Sequence, residues 1–161
     1  MECLNPTAWV RASCCNSVFI MRLRSMKVPI MIKMSYNTAE IPSLVDSGAT
    51  NNFIHPRTVW QLRLGMSLLD KPKKLFNVDD TQNKAGNVTR YVNLCVTTNQ
   101  KERQMRFLFS DIGRESLILG YPWLATFKPR FRWKEGTLDP QYLPIICQSI
   151  HPMKEPDHQG E

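Results

Sequence analysis

The sequence lacks the patterns that several common classes of site require. It has five cysteines but no C-x-x-C pair, and no histidine lies near the first three cysteines at zinc-ligand spacing, so a zinc knuckle is absent. A G-x-x-x-x-G-K loop is missing as well, which excludes a P-loop. No G-x-S-x-G context accompanies a serine, histidine and aspartate, so a serine hydrolase is not expected.

Long hydrophobic runs are also lacking. The apolar stretch near the start, Val18 to Met21, is only a few residues long and is closed by Arg22, so no transmembrane helix is predicted. The N-terminus does not show the basic-then-apolar order of a signal peptide. The odd number of cysteines fits reduced thiols. We therefore expect an intracellular, cytoplasmic protein with no membrane partner.

Positive charges exceed negative ones, which gives a formal net charge of +7. Such a balance favours an acidic partner such as nucleic acid. However, the basic residues are spread out and no aromatic stripe is interleaved with them, so nucleic acid is only weakly suggested and a solvated basic surface is the preferred interpretation. The two small basic groups are Lys71, Lys73 and Lys74, and Lys128, Arg130, Arg132 and Lys134.

Period-two alternation and frequent turn signals predict an all-β domain. Eleven prolines and seven glycines favour many turns between short strands. The clearest alternation places Val88, Val92, Leu94 and Val96 on one face of a long strand, which turns at 98–101 into a returning strand. Further strands are predicted at 28–34, 41–45, 74–78, 117–119 and 131–133, and a single helical turn at 56–62. Seven or eight short strands are typical of a barrel or a sandwich.

The pattern also predicts domain limits. Residues 1–25 show no clear period and are predicted to be an unstructured leader or a fragment edge. Residues 26–145 form the predicted domain, and residues 146–161 are predicted to be a polar tail. A chain of this length favours one domain with a single core.

Asp46 is the candidate for chemistry. It directly follows the predicted apolar strand 41–45, so its carboxylate is placed where that strand ends and the backbone turns. Gly48 permits a tight turn and a close backbone approach, while Ser47 and Thr50 can hydrogen-bond locally and fix the loop. An isolated Asp-Ser-Gly usually marks a plain turn, so its context decides. A second signal comes some seventy residues later, where the buried apolar run 117–119 ends at Gly120.

With these motifs the sequence resembles the retropepsin family of aspartic proteases, and more narrowly the protease segment of gypsy-like LTR-retrotransposon polyproteins. The resemblance covers residues 26–145 approximately. Several spaced motifs in the same order are more specific than any one of them. The matching stretches are 44–50, 75–79, 83–86, 117–124 and 131–136.

The resemblance implies a closed β-barrel with a flap hairpin at 78–86 and at most one or two short helices. It implies catalysis by Asp46, supported by Ser47 and Gly48. Substrate contacts are implied for the active-site loop and the flap, at Ala49, Val78, Asp79, Asp80 and Thr81. The implied substrate is a peptide or polyprotein, no cofactor is required, and the setting is the cytoplasm or an intracellular virus-like particle. Asp80 departs from the glycine that the family often has at the flap tip.

A single catalytic aspartate predicts a homodimer. Aspartic proteolysis needs two carboxylates that share one proton, because two like charges so close together cannot both ionise. The nearest second candidate, Asp111, lies in Asp-Ile-Gly and lacks the neighbouring hydroxyl. We therefore expect each chain to contribute one Asp46 to a polyprotein-processing endopeptidase. Two alternatives stay open: a catalytically inactive remnant or host-recruited domain that dimerises and binds peptide, and a nucleic-acid-associated segment.

Overall fold

The computed structural model describes residues 26–76 and 82–144. For residues 82–85 it describes the backbone alone. Strands account for most of this part of the chain, with two short helices and one turn of 3-10 helix. The elements are β1 (Lys27–Lys33), β2 (Thr38–Val45), β3 (Asn52–Ile54), α1 (Pro56–Gln61), β4 (Ser67–Phe76), β5 (Gln82–Thr98), β6 (Lys101–Phe109), β7 (Leu117–Leu119), α2 (Tyr121–Phe127), β8 (Phe131–Arg132), β9 (Thr137–Leu138) and the 3-10 turn Pro140–Tyr142.

Six strands close into a barrel. The sheet order is β1-β2-β7-β3-β6-β5-β4, and β1 also pairs with β5, so that the first six strands of this order form a ring. Closure leaves no free edge within the ring, whereas β4 stays outside as an arm paired with β5. The predicted closed all-β barrel with at most two short helices is confirmed.

The barrel core follows the alternation of the sequence. The side chains of Val88, Val92, Leu94 and Val96 are all buried, as their shared parity on β5 predicts. The predicted turn into β6 has two residues, Asn99 and Gln100, with φ of 50° and 60°. A two-residue turn with both φ angles positive matches the twist of the paired strands, and it sets the register Thr98 to Lys101.

β4 and β5 form the predicted hairpin, but its loop is shorter than the sequence indicated. Phe76 pairs with Gln82, so the connection consists of residues 77–81, which lie outside the described residues. The prediction that the loop extends to Gly86 is wrong, because β5 already begins at Gln82. Gly86 has a φ of 78° and lies where the register shifts, so a bulge absorbs the turn-forming residues that precede it.

β7 lies in the middle of the sheet and positions the candidate site. It pairs in parallel with β2 and antiparallel with β3. Leu117 and Leu119 are fully buried, as predicted, whereas Ile118 is only half-buried because it points to the opposite face of the strand. Expecting Ile118 to be a core residue was therefore wrong.

Two short helices connect the strands. α1 begins after His55, whose Nδ1 accepts a hydrogen bond from the N–H of Arg57 at 2.9 Å, and Pro56 occupies its first turn as predicted. Within the part of the chain that the structure describes, no helix has the length and hydropathy to cross a membrane. The leader 1–25 and the tail 146–161 lie outside that part, and the predicted domain limits stay predictions.

Candidate active site

Asp46 extends the pairing between β2 and β7 by one residue. Its backbone N–H donates a hydrogen bond to the carbonyl of Leu119 at 2.9 Å, so the buried central strand fixes the start of the loop. The Asp46 residue itself is 7% exposed. The sequence prediction that this aspartate lies on a loop directly after a strand agrees with its position after β2.

The loop then folds around the Asp46 carboxylate. Oδ1 of Asp46 accepts a hydrogen bond from the N–H of Gly48 at 2.8 Å, and the Asp46 carbonyl accepts one from the N–H of Ala49 at 3.1 Å. The first is an Asx turn, in which a side chain replaces a backbone carbonyl and thereby orients the carboxylate. Ser47, between them, is exposed. Gly48 thus contacts the Asp46 carboxylate, and Ala49 contacts the Asp46 main chain. The roles predicted for Ser47, Gly48 and Ala49 stay predictions.

The junction between β7 and α2 supports this loop from beneath. The N–H of Tyr121 donates to the carbonyl of Ala49 at 2.8 Å. A Cβ atom at Gly120 would overlap the carbonyl oxygen of Asn51 and lie 2.7 Å from that of Ala49. Only glycine lets the two backbones approach so closely. This close contact therefore explains why the apolar run 117–119 is followed by glycine.

Asn52 joins the loop to two other elements, and the sequence analysis missed it. Its side chain is buried, and its Oδ1 accepts a hydrogen bond from the N–H of Gly120 at 2.9 Å. Its Nδ2 donates weakly to the carbonyl of Arg106 on β6 at 3.5 Å. A polar residue at the start of an apolar strand was the available signal, since a buried amide needs partners.

The predicted substrate site also includes four residues of the flap. Val78, Asp79, Asp80 and Thr81 lie outside the described residues. Strand β4, which leads to them, reaches the loop that follows Asp46, because Nζ of Lys73 on β4 lies 3.5 Å from Oδ1 of Asn51. That these residues face Asp46 across a cleft stays a prediction.

Asp111 repeats the local turn of Asp46 at the surface. Its Oδ1 accepts a hydrogen bond from the N–H of Gly113 at 2.9 Å, which is the same Asx turn. Its side chain is 72% exposed and lies 3.3 Å from Nε2 of His55. The Gly113 N–H, followed by His55, lowers the pKa of Asp111 below its ordinary value of 3.8. The two aspartates therefore share the Asx turn and differ in burial.

A family match agrees with this arrangement. The model of the PEG10/RTL1 protease domain matches residues 42–142, which is more than half of the chain. The chain belongs to this family. The matched residues span the Asp46 loop, the β4–β5 hairpin and the β7–α2 junction, and the resemblance to a retropepsin-like protease domain that the sequence predicted is confirmed.

The chain is also similar to solved structures. The EIAV protease complexed with the inhibitor HBY-793 is 15% identical, with 71% of this chain and 98% of that chain covered at a TM-score of 0.48. The retroviral protease-like domain of Ddi1 from Leishmania major is 18% identical, with 71% and 85% covered at a TM-score of 0.46. A search of curated proteins gives no match to this chain.

Proposed function

We propose that the chain is an aspartic endopeptidase that works as a homodimer, with one Asp46 from each chain. The carrying observation is the nearly buried Asp46 at the end of β2, whose Oδ1 is oriented by the Gly48 N–H. Membership of a family of protease domains supports a peptidase. The proposed substrate is a retrotransposon polyprotein.

The proposed reaction uses one water molecule held between the two Asp46 carboxylates. The ionised carboxylate takes a proton from the water, whose oxygen attacks the peptide carbonyl carbon, while the protonated carboxyl donates a hydrogen bond to the carbonyl oxygen. The amide nitrogen then accepts a proton from the dyad as the carbon–nitrogen bond breaks. Because one shared proton is needed, the rate falls when the dyad holds either no proton or two, which gives a bell-shaped pH profile on the acidic side of neutrality.

The neighbouring residues take supporting roles in this proposal. Ser47 is exposed in the single chain, so its hydroxyl is available to brace the loop of a second chain. The Gly48 N–H orients Asp46, and Ala49 contacts the peptide backbone. Val78, Asp79, Asp80 and Thr81 close over the substrate from the flap. The carboxylate of Asp80 is the feature that favours the second candidate, an inactive domain that dimerises and binds peptide.

The test of catalysis is cleavage of a peptide library by the purified chain, with and without an aspartic-protease inhibitor. We predict that Asp46→Asn abolishes cleavage and leaves the fold intact, because asparagine keeps the size and the acceptor of the Gly48 N–H but is not a base. Asp111→Asn is the matched control, since it changes the same turn at the surface, and it should retain parental activity.

The outcomes separate the two candidates. Full activity of the Asp46→Asn protein would rule out Asp46 as the catalytic group. Absence of cleavage by a folded, dimeric parent would favour the inactive peptide-binding domain, with Asp80→Gly as the first variant to restore activity.

A further inference from the structure

Lys73 places a cation beside the loop that starts at Asp46. Its Nζ lies 3.5 Å from Oδ1 of Asn51, five residues after Asp46. The amide nitrogen of Asn51 is engaged separately, since it donates to Oγ1 of Thr50 at 3.1 Å. The ammonium group therefore connects β4, which is the arm of the predicted flap hairpin and is called the flap arm below, to the loop that follows Asp46.

The register of the hairpin points Lys73 toward the barrel. Lys73 pairs with Val88, and Lys74 pairs with Asn87. Directly opposed residues of an antiparallel pair share a face of the sheet. Val88 is buried and Asn87 is exposed, so Lys73 lies on the inner face of the hairpin and Lys74 on the outer face. The contact with Asn51 agrees with this assignment.

Within the described side chains, the partner of Lys73 is the neutral amide of Asn51. Among residues 26–76 and 86–144, whose side chains the structure describes, the ion pairs involve other groups, and none joins a carboxylate to Lys73. The Asn51 contact is long for a hydrogen bond and links an ammonium to an uncharged oxygen. A carboxylate at this place would form a shorter and stronger charge-assisted bond.

We propose that Lys73 is a specificity-determining residue that makes the site prefer peptides with an acidic side chain at the position that passes between β4 and Asn51. This inference rests on the proposed function, because it takes the space between the flap arm and the Asp46 loop as the peptide site. The Asp or Glu side chain of the peptide replaces Asn51 as the partner of Lys73. Lys73 is exposed, so we expect a preference of about fivefold over the amide isostere.

The experiment measures binding separately from cleavage. Decapeptides that carry Glu, Gln or Lys at one position at a time are tested for binding to the full chain with the Asp46→Asn change and for cleavage by the parent chain. We expect one position at which Glu exceeds Gln about fivefold in affinity, and in kcat/KM wherever the parent cleaves, with the difference reduced at high salt. Lys73→Gln should remove this preference, and Lys73→Glu should reverse it in favour of Lys at the same position.

Lys74→Gln is the matched control, because it removes one positive charge from the outer face of the same strand. It should keep the preference for Glu. Equal binding of the Glu and Gln peptides, an undiminished preference in Lys73→Gln, or no peptide binding at all would overturn the proposal. Selective binding without cleavage would support the Lys73 assignment while contradicting the proposed catalysis, so the two claims fail separately.

Discussion

Two aspartates in this chain make the same turn in different surroundings. Asp46 and Asp111 each accept a hydrogen bond from the N–H two residues later. Asp46 is nearly buried at the end of a central strand, whereas the Asp111 side chain is mostly exposed beside His55. Burial at the end of a core strand, rather than turn geometry, makes Asp46 the candidate for catalysis. In sequence, Asp46 directly follows an apolar residue and precedes Ser47, whereas Asp111 follows Ser110 and precedes Ile112.

Asn52 is the residue whose removal should disturb the site without touching the carboxylate. In Asn52→Leu the buried N–H of Gly120 loses its acceptor, and an unsatisfied buried donor costs about 1–3 kcal/mol. We expect urea unfolding to show a loss of stability in this range.

Asn93→Ala serves as the control for Asn52, because Asn93 is an exposed residue of β5 and should change stability by less than about 0.5 kcal/mol. Equal stability of Asn52→Leu and the parent would contradict the role given to the Asn52 amide. Asp46 could be found from its motif. For Asn52 the sequence offered only a polar residue at the start of an apolar strand, because its partners on β6 and after β7 lie more than fifty residues away in sequence.

At the scale of elements, β7 connects the core to the candidate site. It pairs with β2 and β3 on either side, and its last carbonyl holds the N–H of Asp46. Leu119→Ala deletes a fully buried side chain and should cost about 2–5 kcal/mol. Ile118→Ala removes a half-buried side chain from the other face of the same strand and should cost clearly less.

Chemical denaturation measures the free energy of unfolding of the Leu119→Ala and Ile118→Ala variants, each compared with the parent. An Ile118→Ala variant that lost as much stability as Leu119→Ala would show that both faces of β7 are packed equally. The same result would restore the prediction made from the wholly apolar run.

Sequence patterns identified most strands because inward and outward positions alternate in a barrel wall. They failed where local and long-range preferences differ. Residues 82–86 are typical of a turn, yet pairing with β4 and a bulge at Gly86 hold them in β5. The apolar run 117–119 could not reveal that Ile118 faces outward, because an unbroken run carries no alternation. The contact of Gly120 with the loop also required the fold.

At the scale of the whole molecule, the site is assembled from distant parts of one barrel. Asp46 follows β2, Gly120 follows β7, and Lys73 comes from the arm outside the ring. The barrel that carries these parts is closed by the pairing of β1 with β5. Among the described residues, Asp46 is the one buried carboxylate at the candidate site, and the proposed reaction needs two carboxylates. The account therefore requires a second copy of the chain.

The most direct test of a shared site is a mixing experiment. The parent is allowed to exchange subunits with the Asp46→Asn chain, and peptide cleavage is measured at a fixed amount of parent. If each site needs two Asp46 carboxylates, an equal amount of Asp46→Asn chain lowers the rate to about half. A ninefold excess lowers it to about one tenth, because mass action draws the parent chains into mixed dimers. The Asp111→Asn chain, added in the same amounts, should instead add its own activity. A rate that stays unchanged when the excess of Asp46→Asn chain has exchanged fully would contradict the shared site and show that one chain cleaves peptides alone.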